Sequence, residues 1–139
     1  MTEPNPRKVT FLGPEWIDAA REILQEVVSR HGKPGETFSM CECFSGAPSD
    51  IAPSGVAAWH FRIDGTSVEV GTGEIDDATM KVRAGYEEIL PLARSVYTPE
   101  IIAEQRAKVE RGDYMISGDP SSSPSYLRDL HNRLAVLTA

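Results

Sequence analysis

Residues 56–73 read VAAWHFRIDGTSVEVGTG and have the clearest pattern in the chain. Apolar residues occupy every second position from 57 to 63, and an alternation resumes at 67–70 after Asp64-Gly65. A period of two is typical of a strand with one buried face. An Asp-Gly pair between two alternating runs is a strong signal for a tight hairpin. The stretch therefore predicts two antiparallel strands.

Towards the N-terminus, the pattern predicts a helix and then one more strand. The helix starts near Pro14 and stops before Gly32, a favoured residue at helix C-caps. Its apolar positions recur every three or four residues, which is typical of an amphipathic helix: Trp16, Ala19, Ala20, Ile23, Leu24, Val27 and Val28. Residues 36–44 return to period two, with Phe38, Met40 and Phe44 on one face.

Towards the C-terminus, turn residues and a helical period alternate with short apolar runs. These predict a strand over 79–84 and a helix over 86–97 that Pro91 kinks or splits. A second helix is capped by Thr98 and ended by Gly112. A strand over 114–117 and a helix opened by Ser123-Pro124 complete the predicted elements. A run of strands followed by helices favours the α+β class. We therefore expect a five-stranded, mostly antiparallel sheet covered on one face by helices, with a tail over 1–13 and a single domain over 14–139.

The net charge and the lack of long apolar runs exclude some classes of binding partner. The chain has 139 residues and a net charge of −7, and such a surface repels both phosphate backbones and anionic headgroups. No apolar run approaches the roughly 18 residues that a membrane span needs. The polar start does not resemble a secretory signal, and two cysteines are too few for a disulfide framework. We expect a cytoplasmic protein that neither binds nucleic acid nor inserts stably into membranes.

Cys41-Glu42-Cys43 suggests a metal site, with His31 or His60 as a third ligand. Alternate residues of a strand share a face, so both sulfurs could reach one ion. Structural zinc sites, however, usually separate their cysteines by two to four residues, and the chain has no second pair. We expect small buried thiols, no metal and no cofactor.

Catalytic patterns are weak. No G-x-S-x-G motif is present, and neighbouring carboxylates such as Glu87-Glu88 point about 100° apart on a helix. His60, Glu42 and Asp64 fall near the strands without sharing one face. We expect no catalytic residue.

Three methionines fall in predicted strands close to aromatic residues. Met40, Met80 and Met115 accompany Trp59 and two phenylalanines. Methionine adapts its shape to irregular apolar ligands, but it also fills ordinary cores. The pattern leaves both interpretations open.

Three segments together resemble sterol carrier protein type 2 domains. The run from Trp59 to Val70 resembles that family's paired strands, Asp76-Asp77-Ala78-Thr79-Met80-Lys81-Val82 its Asp-Ala-Thr segment, and Arg111–Asp119 its late glycine, strand and Gly-Asp signature. The terminal helix follows in the expected place, so the similarity covers roughly residues 14–137. The resemblance implies a five-stranded sheet that encloses an apolar tunnel for sterols, fatty acids or fatty-acyl thioesters.

On this resemblance we expect non-enzymatic binding of an apolar lipid, and transfer of that lipid inside the cell is a further hypothesis. Inward strand positions and helix stripes give the expected wall of the tunnel: Phe38, Met40, Trp59, Phe61, Met80, Val82, Leu90 and Met115. Arg62 or Arg94 could orient a ligand carboxylate. Two alternatives stay open: an enzyme or accessory subunit acting on an apolar substrate, and a ligand-free interaction module such as a homodimer.

Overall fold

A computed structural model describes residues 8–139 apart from the side chain of Pro120, so most of the expected tail over 1–13 lies outside the described residues. The elements are helix α1 (Pro14–His31), strands β1 (Thr37–Ser45), β2 (Val56–Asp64), β3 (Ser67–Thr72) and β4 (Met80–Gly85), helices α2 (Tyr86–Ala93) and α3 (Pro99–Glu110), strand β5 (Met115–Gly118) and helix α4 (Leu127–Leu137).

The five strands form one mixed sheet in the order β3-β2-β1-β4-β5. Only the central pair, β1 with β4, is parallel, and the other three pairs are antiparallel. Helices α1 and α2 pack against one face of this sheet, the inner face, and α4 packs against both helices. The predicted α+β class, with a five-stranded and mostly antiparallel sheet, is confirmed.

Strands β2 and β3 form the expected hairpin, with the loop one residue later than Asp64-Gly65. Asp64 pairs with Ser67, so the loop consists of Gly65 and Thr66. Gly65 has a φ of +62°, whereas Thr66 does not have a positive φ. A positive φ at the first loop residue alone is the pattern of a type II′ turn, which favours glycine there.

Helix α1 buries one continuous stripe against the sheet and ends at a glycine with a steric role. Gly32 caps the helix with φ −64° and ψ 150°, which any residue can adopt. A Cβ atom on Gly32 would lie 2.1 Å from the carbonyl oxygen of Gly65. The glycine is therefore required because the hairpin loop approaches the helix end closely.

Two helices are shorter than the sequence pattern predicts. Helix α2 continues through Pro91 but ends at Ala93 instead of Tyr97. Helix α4 begins at Leu127, because the turns that follow Pro124 are closed by hydrogen bonds between residues three apart, from Leu127 N to Pro124 O and from Arg128 N to Ser125 O. These bonds give a 3₁₀-like turn before the α-helix.

The opposite, outer face of the sheet carries the two cysteines. Their side chains are free and buried, with 3.8 Å between the Sγ atoms. Burial raises the pKa of the Cys43 thiol to about 12. Within residues 8–139, no three His, Cys, Asp or Glu side chains gather as a metal site.

Residues 73–79 are tied to this outer face by ion pairs. Glu74 accepts hydrogen bonds from Lys81 and from Arg83, the latter at 2.6 Å, and Asp77 pairs with Arg62 at 2.7 Å.

Among the helices of the described chain, none is long and apolar enough to cross a membrane.

Candidate functional site

A cavity of about 390 Å³ lies between the inner face of the sheet and helices α2, α3 and α4. Each of the strands β1, β2, β4 and β5 contributes to its wall. Cavities of roughly 300–1,000 Å³ with mainly apolar walls are typical of small-molecule sites. This is the candidate site, and its lining decides what it can accept.

Aromatic rings build the floor of the cavity. Trp16 and Trp59 meet edge to face with their ring centres 5.1 Å apart, and Phe11 contacts Trp16 and Phe44 at 5.2 and 5.4 Å. Phe61 continues the cluster 5.4 Å from Trp59. These rings are buried and packed against each other, so the floor is held in one shape before any ligand arrives.

The mouth of the cavity lies beside α3 and the start of α4. Ser125 and Arg128 line the cavity and are exposed to solvent. Helix α3 supplies Gln105 to the wall, and none of the residues of α3 is buried. Access from solvent is therefore at this end of the molecule.

Five of the predicted wall residues line the cavity: Met40, Trp59, Phe61, Met80 and Val82. Their strands are neighbours in the sheet, and Met40 pairs with both Phe61 and Met80. The parity inferred from the alternation places all five on the inner face. The structure brings these residues together.

Met115 lies elsewhere, because the strand parity is the opposite of the expected one. Met115 pairs with Arg83 on the outer side and is 65% exposed. Ile116 pairs with Val82 and lines the cavity in its place. In a strand of four residues the alternation is too short to establish which face is buried.

Phe38 and Leu90 pack in or against the core but do not line the cavity. Phe38 is 2% exposed and lies at the start of β1, where it pairs with Ile63 beyond the end of the cavity. On α2 the lining comes from Ile89, Leu92 and Ala93, whereas Leu90 is half-buried and packs against the core. Leu90 is rotated about 100° from Ile89 around the helix, so it can contact the core without reaching the cavity.

Glu42 is the unexpected member of the wall. It shares the inner face with Met40 and Phe44, and its Oε1 accepts a hydrogen bond of 2.7 Å from the indole nitrogen of Trp59. Burial raises the pKa of this carboxyl above its ordinary value of 4.5, and the bond from Trp59 offsets part of the rise. The sequence contains one signal for this residue: a charged side chain at an inward position of an otherwise apolar strand face.

Tyr97 and His131 add a second polar group to the wall. Their rings stack with centres 3.8 Å apart, and the backbone N–H of Tyr97 donates to Asn132 Oδ1 at 2.9 Å. The Nε2 of His131 lies 2.8 Å from the carbonyl oxygen of Ser95, to which it donates. Burial lowers the pKa of His131 and raises that of Tyr97 to about 12, so both rings are uncharged at neutral pH.

Neither arginine considered for a ligand carboxylate lines the cavity. Arg62 is on the outer face with Asp77, and the Nε of Arg94 donates to the carbonyl oxygen of Ala139 at 2.7 Å. Arg128, at the mouth, is the arginine in the lining of the cavity. A carboxylate would therefore find its cation at the entrance.

Glu42, Tyr97 and His131 are three separate polar groups of the wall. Within the described part of the chain, no hydrogen bond joins any two of Glu42, Tyr97 and His131. Desolvation is the leading cause of all three pKa shifts.

Comparison with solved structures identifies the fold. The crystal structure of sterol carrier protein 2 superposes with a TM-score of 0.58 at 14% identity, over 90% of this chain and 96% of that one. A palmitated SCP2L2 from Aedes aegypti gives 0.51 at 18% identity, over 86% and 94%. A UbiJ-SCP2 ubiquinone synthesis protein gives 0.51 at 14% identity, over 91% and 96%.

No protein-family model and no curated protein matches the sequence. The structural likeness at these low identities establishes the architecture, and the fold expected from the three sequence segments is confirmed. The ligand has to be argued from the cavity itself.

Proposed function

We propose that this chain, which has the fold of sterol carrier protein 2, binds one apolar small molecule in the cavity on the inner face of its sheet. The observation that carries the proposal is the cavity of about 390 Å³ with an aromatic floor and one exposed end. Binding is non-enzymatic, and the ligand is a lipid or a molecule of similar apolarity.

The driving force is burial of apolar surface. Each methylene group moved from water into such a site contributes about 0.8 kcal/mol. Atoms that line an unfilled apolar cavity lack neighbours on one side, so a ligand also restores their dispersion contacts. The site gains affinity with chain length until the cavity is full.

We assign the wall to Met40, Trp59, Phe61, Met80 and Val82, with Ile116 in the place expected for Met115. The two methionines lie side by side on β1 and β4 and can change rotamer to follow the outline of a ligand. The aromatic floor gives the fixed part of the site. Its adjustable part is the methionine pair.

The solved neighbours support an apolar ligand. The Aedes aegypti protein is described as palmitated, and another neighbour is described as a ubiquinone synthesis protein. An apolar chain is common to palmitate and ubiquinone. Transfer of the ligand between sites in the cell is part of the proposal, and the cytoplasm is the proposed compartment, in keeping with the free thiols of Cys41 and Cys43.

Native mass spectrometry of the freshly purified protein, followed by solvent extraction, tests this function. We expect a retained mass that the solvent removes and that identifies as a lipid. A protein mass without adduct, together with no thermal shift across a panel of fatty acids, alcohols and sterols, contradicts the proposal. The same spectrum reports the oligomeric state, so a ligand-free dimer would favour the interaction module instead.

A further inference from the structure

Glu42 occupies the centre of the inner face, where apolar side chains are the rule. It belongs to the central strand β1 and is flanked by Trp59 on β2 and by Val82 on β4. The indole N–H of Trp59 donates a hydrogen bond to Oε1 of Glu42. Over residues 8–139 the second oxygen, Oε2, has no hydrogen-bond partner, and the side chain lines the cavity. The carboxyl therefore presents one unoccupied polar atom to whatever fills the cavity.

A plain hydrocarbon chain does not suit this wall. If methylene groups covered Glu42, Oε2 would lose its access to water without gaining a partner. A buried polar atom left unpaired costs about 1–3 kcal/mol, which offsets the gain from several methylenes. A ligand that fills the cavity well must bring a polar atom to this depth.

Three head groups can be compared with the carboxyl and its surroundings. A carboxylate at this depth would be a buried anion without a cation, because the arginine of the lining is at the mouth. An ammonium group requires an ionised Glu42, which desolvation disfavours. A hydroxyl group both donates and accepts, so it pairs with either state of the carboxyl.

We propose, building on the proposed function, that Oε2 of Glu42 is a hydrogen-bonding anchor that selects uncharged, hydroxyl-bearing apolar ligands over fatty-acid anions and amines. Trp59 is the positioning residue, because its indole N–H holds Oε1 and fixes the plane of the carboxyl. The ligand enters with its hydroxyl leading towards the sheet, and its chain extends towards the mouth beside Arg128.

The test compares three ligands that differ only in the head group: dodecan-1-ol, dodecanoate and dodecylamine, at pH 7. Dissociation constants come from tryptophan fluorescence, because Trp59 contacts the anchor, and native mass spectrometry gives the stoichiometry. We expect the alcohol to bind at least about tenfold more tightly than either charged compound, the equivalent of about one hydrogen bond.

Two substitutions distinguish a hydrogen bond to residue 42 from the effect of packing against its side chain. Glu42→Gln keeps a polar side chain of the same shape, so the preference for the alcohol should persist. Glu42→Leu removes the anchor, and the alcohol should lose about tenfold in affinity while dodecanoate gains. Near-ultraviolet circular dichroism and the melting temperature verify that both variants fold.

The outcomes distinguish this inference from the function on which it rests. Equal binding of all three compounds, tightest binding of the acid or the amine, or an unchanged preference in Glu42→Leu overturns the anchor and leaves apolar binding intact. If wild-type protein binds none of the three, both the anchor and the proposed function fall. Preference for the alcohol that disappears only in Glu42→Leu supports the anchor.

Discussion

The indole nitrogen of Trp16 donates a hydrogen bond of 3.1 Å to the hydroxyl oxygen of Thr138, 122 residues further along the chain. Thr138 is 1% exposed, and its hydroxyl donates in turn to the carbonyl oxygen of Leu134 at 2.7 Å. Beside it, Val9 bonds to Leu137 at 2.8 Å and to Ala139 at 2.9 Å. These bonds therefore hold the segment that precedes α1 against the segment that follows α4, next to Trp16 of the aromatic floor.

Removing the Thr138 hydroxyl should destabilise the protein. Thr138→Val keeps the shape but leaves the Trp16 N–H buried without a partner, at a cost of about 1–3 kcal/mol. Thr138→Ser keeps the hydroxyl and should cost less. The free energy of unfolding from denaturant titration measures both. A larger loss in Thr138→Ser than in Thr138→Val would show that the methyl group contributes more than the hydrogen bonds.

Stability should depend on pH through Glu42. The pKa of Glu42 in the folded protein is raised above its ordinary value of 4.5. The stability associated with the protonated carboxyl is therefore full below pH 4.5 and is lost as the pH rises through the raised pKa. Relative to Glu42→Gln, the wild type should lose unfolding free energy over this range and then level off.

Subtracting the unfolding free energy of Glu42→Gln from that of the wild type removes the contribution of the other carboxylates to the pH dependence. Glu74 and Asp77 have pKa values lowered chiefly by hydrogen bonds from Lys81 and Arg62, so they lower stability in acid in both proteins alike. Unfolding titrations from pH 4 to pH 9 supply the difference. A difference that stays constant over this range would rule out a raised pKa for Glu42.

Gly32→Ala should be costly for a steric reason. The new Cβ would lie 2.1 Å from the Gly65 carbonyl oxygen, so the helix end and the hairpin loop must move apart. We expect a loss of about 2 kcal/mol or more. Gly35→Ala is the control, because it meets nothing within 4 Å and loses only about 1 kcal/mol for its φ of +84°. Melting curves give the ranking, and the reverse order would contradict the close approach.

Filling the cavity should abolish binding without loss of fold. Ala93 lines the cavity from α2, so Ala93→Phe occupies the space that a ligand needs. Ala103→Phe adds the same ring to an exposed position on α3 and should leave binding unchanged. The amount of lipid extracted per mole of protein is the measurement. If Ala93→Phe retained as much as the control, the ligand would occupy another site.

The sequence predicts most of the architecture because its strongest patterns are long. Nine residues of alternation in β2 and a turn glycine specify the hairpin, and eighteen residues of stripe specify α1. The parallel pairing of β1 with β4 has no local signal, since it depends on how distant segments meet. The early end of α2 likewise depends on tertiary packing.

The candidate site is less predictable from the sequence, for reasons that particular residues illustrate. Met40, Trp59 and Phe61 follow from strand parity, whereas Met115 fails because β5 has four residues. Tyr97 and His131 come from a loop and a helix flank, and no periodicity connects them. Glu42 has a visible inward parity, but its importance depends on a cavity that only the folded chain encloses.

Helix α3 has its N-cap bond, from Ile101 N to Thr98 Oγ1 at 3.2 Å, yet buries none of its residues. It packs against the core through partly buried side chains such as Val109, so its opening requires a small fraction of the global unfolding free energy. In hydrogen exchange its amides should be replaced long before those of β1. Under the proposed function, local opening of α3 would contribute to the rate at which a molecule leaves the cavity, and substitutions could change that rate without changing the stability of the whole domain.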